Sequence, residues 1–442
     1  MPFKTDRFRF EVVARDPHSG ARVGKLHTAH GVVDTPVFMP VGTAGSVKAM
    51  TQQMLEEMDA QLLLANTYHL LLRPGPEVIR ELGGLHRFMS WPRALLTDSG
   101  GYQVFSMNTI RHITEDGVTF CSHLDGSQQF LSPEKAIEIQ AALGADLIMV
   151  LDECLAYPAS REKARQSMEL TLRWARRSQA AFAQLASGAK ALGDFKAQTA
   201  GLKPRPTKTR SGVRPPGREA CLGGPDFRPA VGSLKAQRAL APEASSPLSR
   251  QALFGIVQGG TYAELRRECA RRLAEMDFPG YAIGGLAVGE PSALSYEITE
   301  VTVRELPAEK PRYLMGVGYP ADLLEYARRG IDLMDCVLPT RNARNACLFT
   351  WRGKLHLRNA AYARDPRPVD ERCACAVCRR YSRAYLRHLF NAGELSAAIL
   401  ATHHNLYFYL DIMRRIRAAI RDASLDPLAA ELKPTELSET QS

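Results

Sequence analysis

Nowhere does the chain carry an uncharged apolar run of the roughly 18 residues that a membrane-spanning helix requires. Its opening residues, MPFKTDRFRFEVV, also lack the apolar stretch of a secretory signal. A soluble, cytoplasmic protein is expected. Paired cysteines are missing too. The nine cysteines are an odd set, and six of them (Cys121, Cys154, Cys221, Cys269, Cys336 and Cys347) stand singly, which argues against a disulfide framework and for a reducing compartment.

Positive charge is in excess, but in one place. Of the formal net charge of +10, residues 186–250 carry +8, from twelve Lys or Arg against four Asp or Glu. The same stretch holds eight Pro and eight Gly, and lines such as KPRPTKTRSGVRPPGRE cannot bury a core. A disordered insertion is expected there. A basic arm of this kind can hold RNA by counterion release, or it can be a solvated spacer that touches nothing; the sequence leaves both open.

Outside that stretch, short apolar runs alternate with helical patterns. QLLLANTY, ALLTDSGG, DLIMVLDE, LFGIVQGG, YAIGGLAV, RYLMGVG and IDLMDCVLPT read as strands buried on both faces. Between them, SPEKAIEIQAALG has Ser132 to cap a helix, Pro133 for its first position and Gly144 to end it. YAELRRECARRLAEM and PADLLEYARRG show the same amphipathic spacing, and a helix is expected over 161–186. This α/β alternation suggests a (β/α)8 barrel, with an open doubly wound sheet as the alternative.

Each apolar run ends in a polar residue or glycine where strand should meet loop: Asn66, Asp98, Asp152, Gln258, Gly285 and Asp335. In a barrel these strand ends open onto one face, so residues distant in sequence converge on one pocket. Either Asp98 or Asp335 alone could simply cap the next helix. Together they look like the pair that glycosidic chemistry needs, one carboxylate attacking an anomeric carbon and the other moving a proton. Arg341 and Arg344, just past Asp335, are placed to grip phosphate or to pair with carboxylates inside the fold.

Near the C-terminus, RCACAVCRRYSRAYLRHL puts Cys373, Cys375 and Cys378 in one loop, and ATHHNLYF follows with His403 and His404. Three thiolates and one imidazole make a tetrahedral donor set for a structural zinc ion, with His404 favoured and His403 the alternative. Arg379, Arg380, Arg383 and Arg387 are expected on one helix, as a basic stripe or a solvated face. The chain then divides into a barrel over 1–185 and 251–365, the insertion 186–250, a zinc-binding subdomain 366–412, and a C-terminal helix and tail over 413–442.

The segments HGVVDTPVFMPVGT, TDSGGYQVFS, LDEC, FGIVQGG, YAIGGLAVGE, YLMGVG, DCVLPTRNARN and CACAVC with HHN carry a resemblance that runs from about Phe8 to Leu410. The chain resembles the bacterial tRNA-guanine transglycosylases, also called queuine tRNA-ribosyltransferases. The resemblance implies an irregular (β/α)8 TIM barrel with an inserted C-terminal zinc-binding subdomain, one structural zinc per subunit and a homodimer. It also implies a pentosyltransferase acting on the anticodon loop of tRNA, where the wobble guanine is exchanged for a deazaguanine base. By similarity Asp335 is the nucleophile that forms a covalent ribosyl-aspartate, Asp98 is the general acid/base, and Asn66 orients the nucleophile. Asp152 and Ser99 belong by similarity to the base pocket, with Asp152 reading the guanine N–H groups. Gln258 and the Gly285 amide address the carbonyl side, and Tyr102 and Met315 sandwich the ring; in isolation those last two would read as core. Cys154 and Val288 match the bacterial pattern, for which the incoming base is 7-aminomethyl-7-deazaguanine, with the Leu286 carbonyl and Glu290 facing its aminomethyl group.

Two positions depart from the family pattern, Ala346 where Gly is frequent and Gly260 where Ser is commoner, and neither removes a chemical group that the reaction needs. Two other readings compete: a non-catalytic RNA-binding subunit, which has no use for the carboxylate pair, and a hydrolytic glycosidase, which the pair alone would permit.

Overall fold

The computed structural model describes residues 8–107, 111–199 and 250–432. Three antiparallel strands open the chain, β1 (Arg9–Arg15), β2 (Arg22–Thr28) and β3 (Gly31–Thr35), with a register shift between Val12 and Ala14. Then comes β4 (Val37–Met39), followed by β5 (Leu62–Ala65) and β6 (Ala94–Thr97). A second antiparallel sheet, β7 (Arg111–Ile113), β8 (Val118–Cys121) and β9 (Gln128–Leu131), precedes β10 (Leu147–Met149). The remaining barrel strands are β11 (Ala252–Val257), β12 (Gly280–Ile283), β13 (Arg312–Leu314) and β14 (Leu333–Asp335).

Eight of these strands form one parallel sheet in the order β4-β14-β13-β12-β11-β10-β6-β5. Its two edges meet just past β4, where Gly42 N–H donates to the Leu64 carbonyl at 2.7 Å and Leu64 N–H to the Pro40 carbonyl at 3.1 Å. The sheet is thus a (β/α)8 barrel. Seven of its strands are the apolar runs read from sequence, and helices cover their outer faces, so almost every strand residue is buried. The punctuation of 133–143 holds: the Ser132 hydroxyl accepts from Lys135 N–H at 3.1 Å, and Gly144 takes the left-handed conformation that ends the helix.

The long helix Arg161–Thr199 overruns its expected end near 186, so the start of the basic segment continues a helix. Residues 200–249 lie outside the described ones. Contacts divide the chain into Met1–Ala186 with Pro247–Ser442 as one unit and Ser187–Ser246 as another. After β14, the helix Leu338–Arg344 leads into a hairpin of β15 (Cys347–Thr350) and β16 (Gly353–His356), then the cysteine loop and the helix Arg383–Ala392. The last long helix runs from Leu395 to Arg421 without a break, crossing the boundary placed at 412. It joins the cysteine cluster to the barrel, because His404 lies on it while Tyr409 Oη donates to the Gly318 carbonyl and Arg417 to the Pro36 carbonyl at 2.8 Å.

At the N-terminal ends of the barrel strands, buried carboxylates are paired with cationic or potentially cationic groups. Arg22 forms a two-pronged pair with Asp332 (2.9 and 2.5 Å), with both side chains inaccessible, which ties β2 to the base of β14. Asp146 accepts from His30 at 2.8 Å and from His86 at 3.1 Å, with the two imidazoles stacked 3.5 Å apart. These partners hold the Asp146 carboxyl at about 2 despite the opposing effect of burial.

Candidate active site

The opposite end of the barrel treats its carboxylates differently. Asp98 follows β6, Asp152 follows β10 and Asp335 ends β14, and all three line one cavity of about 200 Å³ with no cation paired to any of them among the described residues. Burial is the largest influence on each. It raises Asp98 and Asp152 to about 6, and it raises Asp335 as well. The charge on Asp335 pushes Asp98 further in the same direction, which puts the two carboxylates in each other's field. Retaining unpaired acids in a pocket is unfavourable to folding, so a chemical use is the natural explanation.

Their hydrogen bonds differ. Asp98 accepts from Asn66 Nδ2 on one oxygen and from Thr67 N–H at 2.8 Å on the other. Asn66 is therefore a partner of Asp98, whereas its expected role was to orient Asp335. Asp335 takes both its bonds on Oδ1, from Tyr313 Oη at 2.6 Å and Gly316 N–H at 3.0 Å. Among the described residues no hydrogen bond reaches its Oδ2. Asp152 accepts from Gln258 Nε2 at 2.7 Å and from the Ser99 hydroxyl at 3.4 Å.

The other candidates fall around this cavity. Ser99, Tyr102, Cys154, Gly285, Leu286 and Met315 line it, as does Val288. Tyr102 is half exposed, available as a flat surface at the rim and no part of the core. Cys154 is buried, which pushes its thiol up to about 12 and keeps it neutral. Gln258 stands behind the wall and fits only because Gly284 and Gly285 have no side chains: a Cβ at Gly285 would sit 2.4 Å from Gln258 Oε1 and one at Gly284 2.7 Å from its Nε2. Glu290 does not line the cavity. Its carboxylate accepts from the N–H groups of Ala287 (2.5 Å) and Val288 (3.0 Å), fixing the turn that bears Leu286.

Arg341 and Arg344 lie on the helix after Asp335, outside the lining. Arg344 donates to the Thr340 carbonyl at 2.9 Å, and among the described residues neither pairs with a carboxylate. The four further arginines are not one stripe. Arg379 and Arg380 precede the helix Arg383–Ala392, and Arg383 is used up by Asp365 (3.1 Å) and by the carbonyls of Pro368 and Val369.

Sequence reasoning missed Tyr313 and Gln103. Tyr313 lies two residues before Met315, and in a strand that spacing returns to the same face, so the period of two could have found it. Gln103 hydrogen-bonds Asp98, while its buried Oε1 has no partner among the described residues.

The cysteine loop fits a metal. His404 Nδ1 lies 3.8, 3.5 and 3.3 Å from the sulfurs of Cys373, Cys375 and Cys378. All four donor atoms fall within 4.8 Å of one another, close to the edges of a tetrahedron with bonds of about 2.0–2.3 Å. The His404 Nε2–H donates to the Phe349 carbonyl at 2.8 Å, which leaves Nδ1 unprotonated for the ion. His403 is not among the converging donors, so the choice between the two histidines falls on His404.

Among the described residues, no helix is long and apolar enough to cross a membrane. Compared with known proteins, residues 16–201 and 233–435 match the family model for queuine tRNA-ribosyltransferase. A queuine tRNA-ribosyltransferase of Caldanaerobacter subterraneus subsp. tengcongensis is 51% identical over 417 residues, covering 94% of each chain. Those of Solibacter usitatus (50% over 416 residues, 94% of each chain) and Moorella thermoacetica (48% over 422 residues, 96% of each chain) are similarly related. With an eight-stranded parallel barrel, a Cys3His cluster and this likeness along nearly its whole length, the chain belongs to the queuine tRNA-ribosyltransferase family of transferases.

Proposed function

We propose that this enzyme exchanges the wobble guanine of target tRNAs for 7-aminomethyl-7-deazaguanine, through a ribosyl ester on Asp335. The observation that carries the reading is the meeting of two carboxylates, Asp98 and Asp335, with no cation paired to either among the described residues, in one cavity of about 200 Å³. Asp335 Oδ2 attacks the ribose C1′ as the bond to guanine N9 breaks, and Tyr313 and Gly316 hold the other oxygen. Asp98, at about 6, gives a proton to the departing purine and takes one from N9 of the incoming base, which then displaces Asp335. Two inversions at C1′ return the original configuration.

The wobble nucleotide must leave its stack to enter the cavity. Tyr102 and Met315 then sandwich the base, Asp152 accepts from its N–H edge, and Gln258 and the Gly285 amide face its carbonyl side. The Leu286 carbonyl faces the cationic aminomethyl group, with Glu290 behind it as the nearest acid on that turn. Arg341 and Arg344 face the tRNA backbone with no carboxylate competing for them. Cys373, Cys375, Cys378 and His404 hold one zinc ion, whose four protein donors leave no position for substrate and make it structural. The barrel, insertion and zinc-subdomain divisions expected from sequence, a homodimer and a cytoplasmic setting belong to the same reading.

Labelled guanine incubated with unmodified tRNA tests it. An exchanger places the label in RNA, whereas an RNA-binding subunit or a hydrolase leaves RNA unlabelled. A protein–RNA adduct trapped with wild type and absent in Asp335→Asn locates the nucleophile; an adduct that persists in that variant refutes the assignment.

A further inference from the structure

Among the described residues, one fully buried cation forms no ion pair with a carboxylate. Arg266, in the first turn of the helix Ala263–Ala274, is wholly inaccessible, and among the described residues it pairs with no acid. Instead it donates to four main-chain carbonyls: Gly260 (2.7 Å), Val257 (3.0 Å), Gly284 (2.7 Å) and Gly285 (3.2 Å). These belong to the last residue of β11 and to the loops that follow β11 and β12, which carry Gln258 and Gly285. The carbonyls can converge because Gly260 and Gly285 take left-handed backbone angles of +57° and +64°, which a side chain disfavours. Main-chain carbonyls take its hydrogen bonds, and the Glu290 carboxylate acts on it only through space, an arrangement that folding alone does not favour.

The Gly284 carbonyl and the Gly285 N–H belong to one peptide unit. A guanidinium bonded to that oxygen draws electrons through the amide and makes the N–H a stronger donor. That N–H points toward the Cys154 sulfur in the wall of the base cavity. We propose that Arg266 is the positioning residue that sets the preference of this site for purines bearing a 6-oxo group, by clamping the two loops and polarising the peptide between Gly284 and Gly285. The proposal rests on the exchange reading above.

The test compares guanine with 2-aminopurine, which lacks the 6-oxygen and the N1–H that goes with it, in wild type, Arg266→Lys and Arg266→Met; the loss of N1–H is common to all three proteins, so the change in preference between them reads the 6-oxo side. The KM of labelled guanine and the Ki of 2-aminopurine against its incorporation are taken on the same preparations, so their ratio is independent of the folded fraction. Wild type should prefer guanine. That preference should fall by about tenfold in Arg266→Met and by less in Arg266→Lys, with the KM for tRNA unchanged. If the Met variant does not fold, the Lys variant alone decides. An unchanged preference in a variant that still exchanges overturns the role of Arg266 and leaves the function standing. Failure of wild type to incorporate guanine overturns the function itself.

Discussion

If Asp98 is held in the pocket for chemistry, removing its charge should make the protein more stable while abolishing exchange. The carboxyl rises from 3.8 to about 6, chiefly through burial. A rise of roughly two pH units corresponds to about 3 kcal/mol of cost for the ionised form at pH 7.5. The folded state binds this proton more tightly than the unfolded chain does. The penalty is therefore absent below about pH 3.8, grows as pH rises and is complete above about 6. Asp98→Asn cannot ionise, and its amide oxygen can still accept from Thr67 N–H while Asn66 turns to present its oxygen. The variant should gain roughly 1–3 kcal/mol at pH 7.5, a rise of a few degrees in Tm for a chain of this size. The gain should shrink to about half at pH 5. Thermal melts of both proteins at the two pH values measure it. A variant that is less stable at pH 7.5, or whose advantage is the same at both, would refute the reasoning that this acid is strained by burial.

Tyr313→Phe removes a donor that lowers the Asp335 carboxyl, so the acidic limb of the pH–rate profile should move to higher pH and kcat should drop about tenfold or more; a profile that does not move argues against the bond. Asp146→Asn should cost about 2 kcal/mol at neutral pH, by denaturant melts, with guanine exchange unchanged. The depressed Asp146 carboxyl contributes its stability above the unfolded value near 3.8 and loses it as pH falls through about 2, so the cost of Asp146→Asn should vanish in strong acid. Chelation, or Cys375→Ser, should lower the melting temperature and tRNA affinity together, and a chelator-treated protein with full activity would contradict a structural ion. Deleting 200–249 should flatten the dependence of tRNA affinity on salt if the basic stretch touches RNA, and an unchanged slope assigns it to spacing alone.

Much of the barrel was legible because its strands are buried on both faces and announce themselves as apolar runs. β4 escaped because VFM is three residues between two prolines, too short to show a period. The β7–β9 sheet escaped for a related reason: it is a half-exposed insert whose alternation is brief. Strand ends supplied Asp98, Asp152 and Asp335, since polar residues that terminate buried strands of a barrel share one face. Tyr313 and Arg266 could not be found that way, because each lies inside an element and its partners belong to neighbouring elements that only the fold brings beside it. Asn66 was legible by its position, but its hydrogen bond to Asp98 was not, because neighbouring strand ends meet in space and only geometry says which carboxylate each one faces.

The pairing of β4 with β14 has a consequence for how the molecule is made. Val37 lies against Leu333, and the helix Leu395–Arg421, which reaches back to Pro36, comes later still. A nascent chain leaving the ribosome must keep the first strand of its barrel waiting for β14 while three quarters of the chain is translated, with a raw sheet edge open to wrong partners. Chaperones that hold unfolded chains should therefore matter most for the earliest third of the polypeptide, and truncation within the helix Leu395–Arg421 should yield aggregates in place of a shorter soluble enzyme.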